Sequence, residues 1–190
     1  MNATDSAEKQ TIASRLVDAL EKRKAHRGFM SVLRRAAGEA QPLRAYQAFS
    51  NLPNGVRDPV VQAVAMLFAR LPLHSKTNRN LGESLAEVVA RQFPRTGKNE
   101  IMVSSFDARF NRLMTARSFD ELQSLLLRLW PLLEHNTISV DYERLYGDLR
   151  NWNENSEFYD TKKRDAVKIQ WAKTYWSSAQ KRDKPEEEQA

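Results

Sequence analysis

Apolar residues recur along this chain at the spacing of helices and almost nowhere alternate as a half-buried strand requires. Ile12, Leu16 and Leu20 stand four apart and predict a first helix that runs into the basic segment KRKAHR. Phe29, Val32, Leu33 and Ala36 predict a second, carrying Arg34 and Arg35 and stopping near Gly38, where glycine favours a helix end. Leu43, Tyr46 and Phe49 predict a short third helix closed by the turn sequence LPNG. Asp58 before Pro59 is a strong start signal, since the carboxylate can cap free N–H groups and proline fits the first helical position. Val60, Val64, Leu67 and Leu71 then share a stripe that Val61 and Phe68 widen, so this fourth helix is expected to be buried.

The polar, basic connection PLHSKTNRN follows, and Leu81, Leu85 and Val88 open the next helix, which ends before the break PRTGKNE. Phe106, Phe110 and Leu113 define a helix whose flank shows Arg109 and Arg112. Ser118 and Glu121 form a capping-box pattern ahead of a leucine-rich helix with Leu122, Leu126, Leu129 and Leu133 on one face. Pro131 is expected to kink that helix or end it near Trp130, because proline lacks the N–H of the helical ladder. Leu145, Leu149 and Trp152 mark a further helix, and NENSEFYD separates it from the last.

The last helix contains KIQWAKTYW, where aromatic rings and lysines interleave as they would on a base-stacking platform. At about 100° per residue, Val167, Trp171, Tyr175, Ala172, Trp176 and Ile169 spread over an arc of roughly 200°. A surface stripe needs only somewhat more than 100°. The stretch therefore reads as core or subunit contact, with the lysine heads reaching water past the apolar face.

These elements predict an all-α fold, a compact bundle of about seven to nine helices. Residues 1–10 are expected to be a flexible N-terminus, 11–180 a single helical domain or two packed helical halves, and 181–190 a flexible acidic tail. Length and composition agree, since 190 residues with 41% hydrophobic and 28% charged side chains can bury a core. With no cysteine, disulfides, thiol nucleophiles and thiolate zinc sites are excluded. No apolar signal core opens the chain and no run of about 18 apolar residues spans a bilayer, so a cytoplasmic protein is expected.

Candidate catalytic chemistry is sparse. His26, His74 and His135 are far apart and none stands at metal-ligand spacing from another histidine or a carboxylate, so each reads as a surface or core residue. Gly97-Lys98 lacks the remainder of a phosphate loop and reads as a turn. Glu83 and Glu87 share a helix face, but Arg91 follows at i+4 and suggests a solvated ion-pair ladder. No catalytic residue, metal ligand or cofactor is assigned, and an enzyme is not expected.

Charge gives the stronger signal. The net charge of +6 becomes +9 without the PEEEQA tail, which removes three glutamates and leaves 30 basic residues against 21 acidic ones. Between Lys22 and Arg35 lie Lys22, Arg23, Lys24, Arg27, Arg34 and Arg35 with no acidic residue, and arginines recur at Arg57, Arg109, Arg112, Arg117 and Arg128. A basic body suits a polyanion through attraction and counterion release, and guanidinium forks fit phosphate oxygens bidentately. The candidate nucleic-acid contacts are Lys24, Arg27, Arg34, Arg35, Arg57, Arg109, Arg112, Arg117 and Arg128.

The C-terminal half adds a resemblance. RFNRLMTARSFDELQSLLLRLWPLLEHNTISVDYERLYGDLRNW, from Arg109 to Trp152, and the closing VKIQWAKTYW resemble the small subunit (CasB family) of the type I-E CRISPR interference complex, Cascade. The shared pattern is an Arg-aromatic-x-x-Leu helix start, a leucine-rich helix, a Val-Asp-aromatic turn, Leu-x-x-Asp-Leu-x-x-Trp and W-A-x-x-Y-W, with weaker similarity in LRRAAGEA and LGESLAEVV. It reaches from about residue 14 to 178. The resemblance implies a non-catalytic helical protein that sits as a pair within Cascade, contacts other subunits and the guide RNA complex, and stabilises the unwound DNA of the R-loop. Arg34, Arg35 and Arg109 match the family's basic positions, Arg57 and Arg128 align more loosely, and Thr115 stands where the family often has a further basic residue. Two rivals need other features. A free-standing helical nucleic-acid-binding or interaction module would need a recognition helix, and no helix-turn-helix spacing is present; an enzyme would need a convergent polar pocket.

Overall fold

The computed structural model describes residues 11–36, 42–92, 100–155 and 159–183. Among them the chain is helical, with no strand and a single isolated bridge pairing His74 with Val140. The all-α expectation holds. The N-terminal segment 1–10, the stop near Gly38, the Gly97-Lys98 turn in PRTGKNE and the PEEEQA tail lie outside the described residues. The helices divide into two units, residues 1–72 and 73–190.

In the first unit, α1 (Ile12–Arg23), α2 (Arg27–Arg35), α3 (Pro42–Ser50) and α4 (Pro59–Arg70) follow in order. Helix α4 is the hub, packed by α1 and α2, with α3 laid on α2. Its start follows the sequence signal: Asp58 Oδ1 accepts from Val60 N at 2.9 Å and Val61 N at 3.4 Å, with Pro59 opening the helix. Val60, Val61 and the run from Ala63 to Ala69 are all buried, so α4 is apolar nearly all round, as a central helix must be.

Helix α3 departs from its predicted stripe. Leu43 is 84% and Tyr46 59% exposed, while Ala45, Ala48 and Phe49 face inward. At about 100° per residue Ala45, Ala48 and Phe49 fall within an arc of about 100°, and Leu43 and Tyr46 lie outside it, Leu43 about 120° and Tyr46 about 60° from Phe49. The small alanines let α3 and α2 approach closely.

The second unit comprises α5 (Leu81–Gln92), α6 (Glu100–Met114), α7 (Phe119–His135), α8 (Tyr142–Trp152) and α9 (Thr161–Asp183). Helix α9 packs on α5 and α8, and α7 packs on α5 and α6. The aromatic stretch of α9 is core. Trp171 and Tyr175 are fully buried, Trp171 lying 5.3 Å from the Trp152 ring and Tyr175 stacking on Phe110 at 3.9 Å. Trp176 is half-buried with its ring edge-on to Tyr175, and Ile169, counted in the predicted apolar arc, is 67% exposed. Two residues along a helix from Trp171 is about 200°, which puts Ile169 on the far side.

The capping box of α7 forms with one change: Ser118 Oγ accepts from Glu121 N at 3.2 Å, but Glu121 Oε2 reaches the N–H of Arg117 rather than that of Ser118. Glu154, from the loop after α8, accepts from Phe119 N at 2.9 Å and closes the same helix end. Pro131 does not end the helix, which continues to His135. It is exposed, so its ring stands clear of the core while buried Trp130 and Leu133 hold the turns around it.

The true stop of α7 is a Schellman motif. Thr137 N donates to Glu134 O at 3.1 Å, Ile138 N donates to Leu133 O at 3.0 Å, and both Ile138 and Leu133 are fully buried. Thr137 thereby takes φ 54°, a left-handed conformation in which a β-branched side chain is strained. Thr137→Gly should stabilise the protein by about 0.5–1 kcal/mol, read as a raised urea midpoint with unchanged slope. An equal or lower midpoint would show that Thr137 is not strained there.

Candidate nucleic-acid interface

The basic segment bends at the α1–α2 junction. His26 caps α2, its Nδ1 accepting from Phe29 N at 3.0 Å, so the chain turns sharply between Lys24 and Arg27. Lys24 is exposed and pairs with Glu21 at 2.6 Å, a surface contact of little energetic weight. Arg23 is drawn back, donating to Ala19 O and lying 5.8 Å over the Phe29 ring. Arg27 is exposed at the first position of α2.

At the other end of α2, Arg34 and Arg35 are both exposed but differently held. Arg34 Nε donates to Ala69 O and helps close the end of α4. Arg35 folds along its own helix onto Ser31 Oγ at 2.9 Å. Arg57 is exposed in the turn before α4. All five candidates of this unit reach solvent.

In the second unit, Phe106, Phe110 and Leu113 point inward, which turns Arg109 and Arg112 outward on α6. Arg117 is exposed in the α6–α7 connection and Arg128 on the outer side of α7. Among the described residues no partner holds the guanidinium groups of Arg27, Arg57, Arg109, Arg112, Arg117 or Arg128. Thr115 donates its hydroxyl to Arg112 O at 3.0 Å. Exposed cations absent from the sequence-based set include Arg44 on α3 and Lys162 and Lys163 at the start of α9. Arg44 stands in a second acid-free run, from Ala40 to Arg57, which is the signal that would have found it.

Lysines of α9 do other work. Lys168 sits 4.9 Å over the Trp152 ring and donates to Ala116 O at 3.2 Å, at the end of α6. Partial burial and the neighbouring Arg164 charge hold its pKa below the usual lysine value. It belongs to the core's edge.

The polar groove between α8 and α9, about 440 Å³, is lined by Glu143, Arg144, Gly147, Asp148, Lys163 and Gln170 among others. Its carboxylates are engaged in structure: Asp148 accepts from Trp171 Nε1 at 2.7 Å, and Glu143 pairs with Lys76 at 3.0 Å. The ladder on α5 is present as expected. Burial pushes the Glu87 carboxyl up, but Arg79 and Arg91 outweigh it and hold it below the ordinary value of 4.5. His74 Nδ1 meets Val140 O and Tyr142 N, both at 3.3 Å, while His135 is exposed. Among the described residues no cluster of three or more His, Cys, Asp or Glu could hold a metal, and no helix is long and apolar enough to cross a membrane.

No curated protein and no solved structure matches the chain. The model of one family, CRISPR-associated protein Cse2, matches residues 30–176, from within α2 to the closing tryptophan of W-A-x-x-Y-W. With that match spanning most of an all-helical chain, the protein belongs to the CRISPR-associated Cse2 family, the small subunit (CasB) of type I-E Cascade.

Proposed function

We propose that this Cascade subunit holds DNA strands of the R-loop through their phosphates and so stabilises pairing between guide RNA and target. Pairing guide with target exchanges one duplex for another of similar stability, so modest protein contacts to strand backbones can tip the balance. The observation that carries the reading is the acid-free basic segment from Lys22 to Arg35, whose Arg27, Arg34 and Arg35 all reach solvent. Arg57, Arg109, Arg112, Arg117 and Arg128 add exposed guanidiniums on helices and tight turns. Such groups position a backbone without reading its sequence. The subunit contributes binding rather than catalysis, acts in the cytoplasm beside a second copy of itself, and needs no cofactor.

Alanine at Arg34, Arg35 or Arg109 should destabilise the R-loop in reconstituted Cascade to a similar degree for all target sequences. Removing one arginine–phosphate pairing should flatten the slope of log K against log salt by about 0.7–0.9. Lys9→Ala serves as the charge control. If the arginine variants assemble and keep the wild-type salt slope, the phosphate reading is wrong; failure to assemble would place these side chains at subunit contacts.

A further inference from the structure

The aromatic stretch that looks like a stacking platform in sequence is core, and the exposed ring lies elsewhere. Among the described residues Tyr46 is the one aromatic side chain left open to solvent, at 59%, with Leu43 beside it at 84%. Both are on α3, whose inward side is taken by Ala45, Ala48 and Phe49. At about 100° per residue, Tyr46, Leu43 and Arg44 follow one another over roughly 160° of the helix, with Leu43 in the middle. The surface is thus an apolar patch ending on a guanidinium.

Its electrostatic setting selects the occupant. Helix α3 carries no acidic residue, nor does α2, on which it packs, and α2 adds exposed Arg27, Arg34 and Arg35. A large exposed apolar pair on a helix without acidic residues, packed on an arginine-rich helix that also has none, matches the two needs of an unpaired nucleic-acid strand: a face for the base and cations for the backbone. We propose that Tyr46 and Leu43 form a stacking site for an unpaired base of single-stranded DNA, with the adjoining phosphate on Arg44. The inference rests on the nucleic-acid reading above and adds to it a contact that is not electrostatic. The strand left unpaired in an R-loop is the displaced one, which is therefore the ligand.

The test places 2-aminopurine along the displaced strand of an R-loop held by reconstituted Cascade carrying the full chain. Stacking on Tyr46 quenches the probe at a defined position. Tyr46→Phe should keep the quench, whereas Tyr46→Ala should abolish it and weaken binding of that strand roughly 5- to 150-fold, with the salt slope unchanged. Arg44→Ala should instead flatten the slope. A Tyr46→Ala complex that assembles and retains both quench and affinity overturns the proposal. A Tyr46→Ala chain that no longer enters the complex also overturns it, because the patch would then be a protein contact. Failure of the broader reading looks different: the Arg34, Arg35 and Arg109 variants would then also leave the R-loop unchanged.

Discussion

Gly82→Leu should unfold the C-terminal unit, and even Gly82→Ala should cost about 1–3 kcal/mol, although alanine is the better helix former. A methyl group added at Gly82 would lie 2.1 Å from the carbonyl oxygen of Trp171, 2.8 Å from its carbon and 2.6 Å from Thr174 Oγ1. Two of those atoms are backbone, so no rotamer change relieves the clash, and α5 and α9 would have to part by about 1.3 Å to restore contact at 3.4 Å from the Trp171 oxygen. They are bound together on either side of the glycine. Asn80 Oδ1 caps α5 at Glu83 N and also accepts from Thr174 Oγ1 at 2.8 Å, while Trp171 and Tyr175 pack fully buried below. Separating the helices opens voids around groups that contribute about 1.5–3 kcal/mol each by burial. Gly147 supplies the control. It is also helical, but nothing lies within 4 Å of an added Cβ, so Gly147→Ala should stabilise by about 0.5–1 kcal/mol. Urea unfolding of both variants measures the contrast, and a Gly82→Ala protein as stable as wild type or more so would show that α5 and α9 admit a methyl group there without cost.

That glycine is invisible to periodicity, and the reason applies widely in this fold. Apolar spacing located α1, α4, α7 and α8 because large side chains dominate their buried faces, as Leu16 and Leu20 do in α1 and Val60, Val64 and Leu67 in α4. It located α3 too but not its packed face, which is mostly alanine while the large residues Leu43 and Tyr46 point away. Spacing weights size, whereas close helix pairs select smallness. The same limit governs the candidate site. Counting arginines found an acid-free run, but only tertiary structure shows that Arg34 closes α4 through Ala69 O while Arg109 and Arg112 stand clear. Lys168 and Lys173 look alike in sequence, yet one lies on the Trp152 ring and the other is exposed. The capping signals at Asp58 and Ser118 were legible because their partners are two or three residues away. Gly82 meets α9 with no local pattern to reveal it, and while Asn80 caps Glu83 N and Asp148 pairs with Arg144 at local spacing, their bonds to Thr174 and Trp171 on α9 are hidden in the sequence.

Asp148→Ala should cost about 2–4 kcal/mol, while Asp148→Asn should stay within about 1 kcal/mol of wild type at neutral pH and change how stability responds to acid. Asp148 is buried between α8 and α9, where Oδ2 accepts from Trp171 Nε1 at 2.7 Å. Arg144 Nε lies 3.2 Å from Oδ1, close enough for an ion pair but angled too poorly for a hydrogen bond, and its other nitrogens donate to Asn78 and Gln170. Alanine would leave a buried indole N–H without its acceptor and a half-buried guanidinium without its charge partner. Asparagine keeps an acceptor for the indole and removes a carboxylate that is costly to desolvate, so the loss of the ion pair is largely offset. Burial is the main reason the Asp148 carboxyl is pushed above its ordinary value of 3.8; the Trp171 hydrogen bond and Arg144 charge oppose it, and nearby Asp141 reinforces it. The folded state therefore holds this proton more tightly than the unfolded chain. Its contribution to stability is complete below 3.8 and is lost as pH rises through the raised folded-state value. Wild type should consequently gain on Asp148→Asn as the pH is lowered from neutral toward 3.8, with other titrating groups common to both proteins cancelling in the difference. Urea unfolding of the pair across that range reads the effect directly. A flat difference, or one in which wild type loses ground in acid, would mean that Asp148 is held charged by Arg144 and that the ion pair outweighs burial.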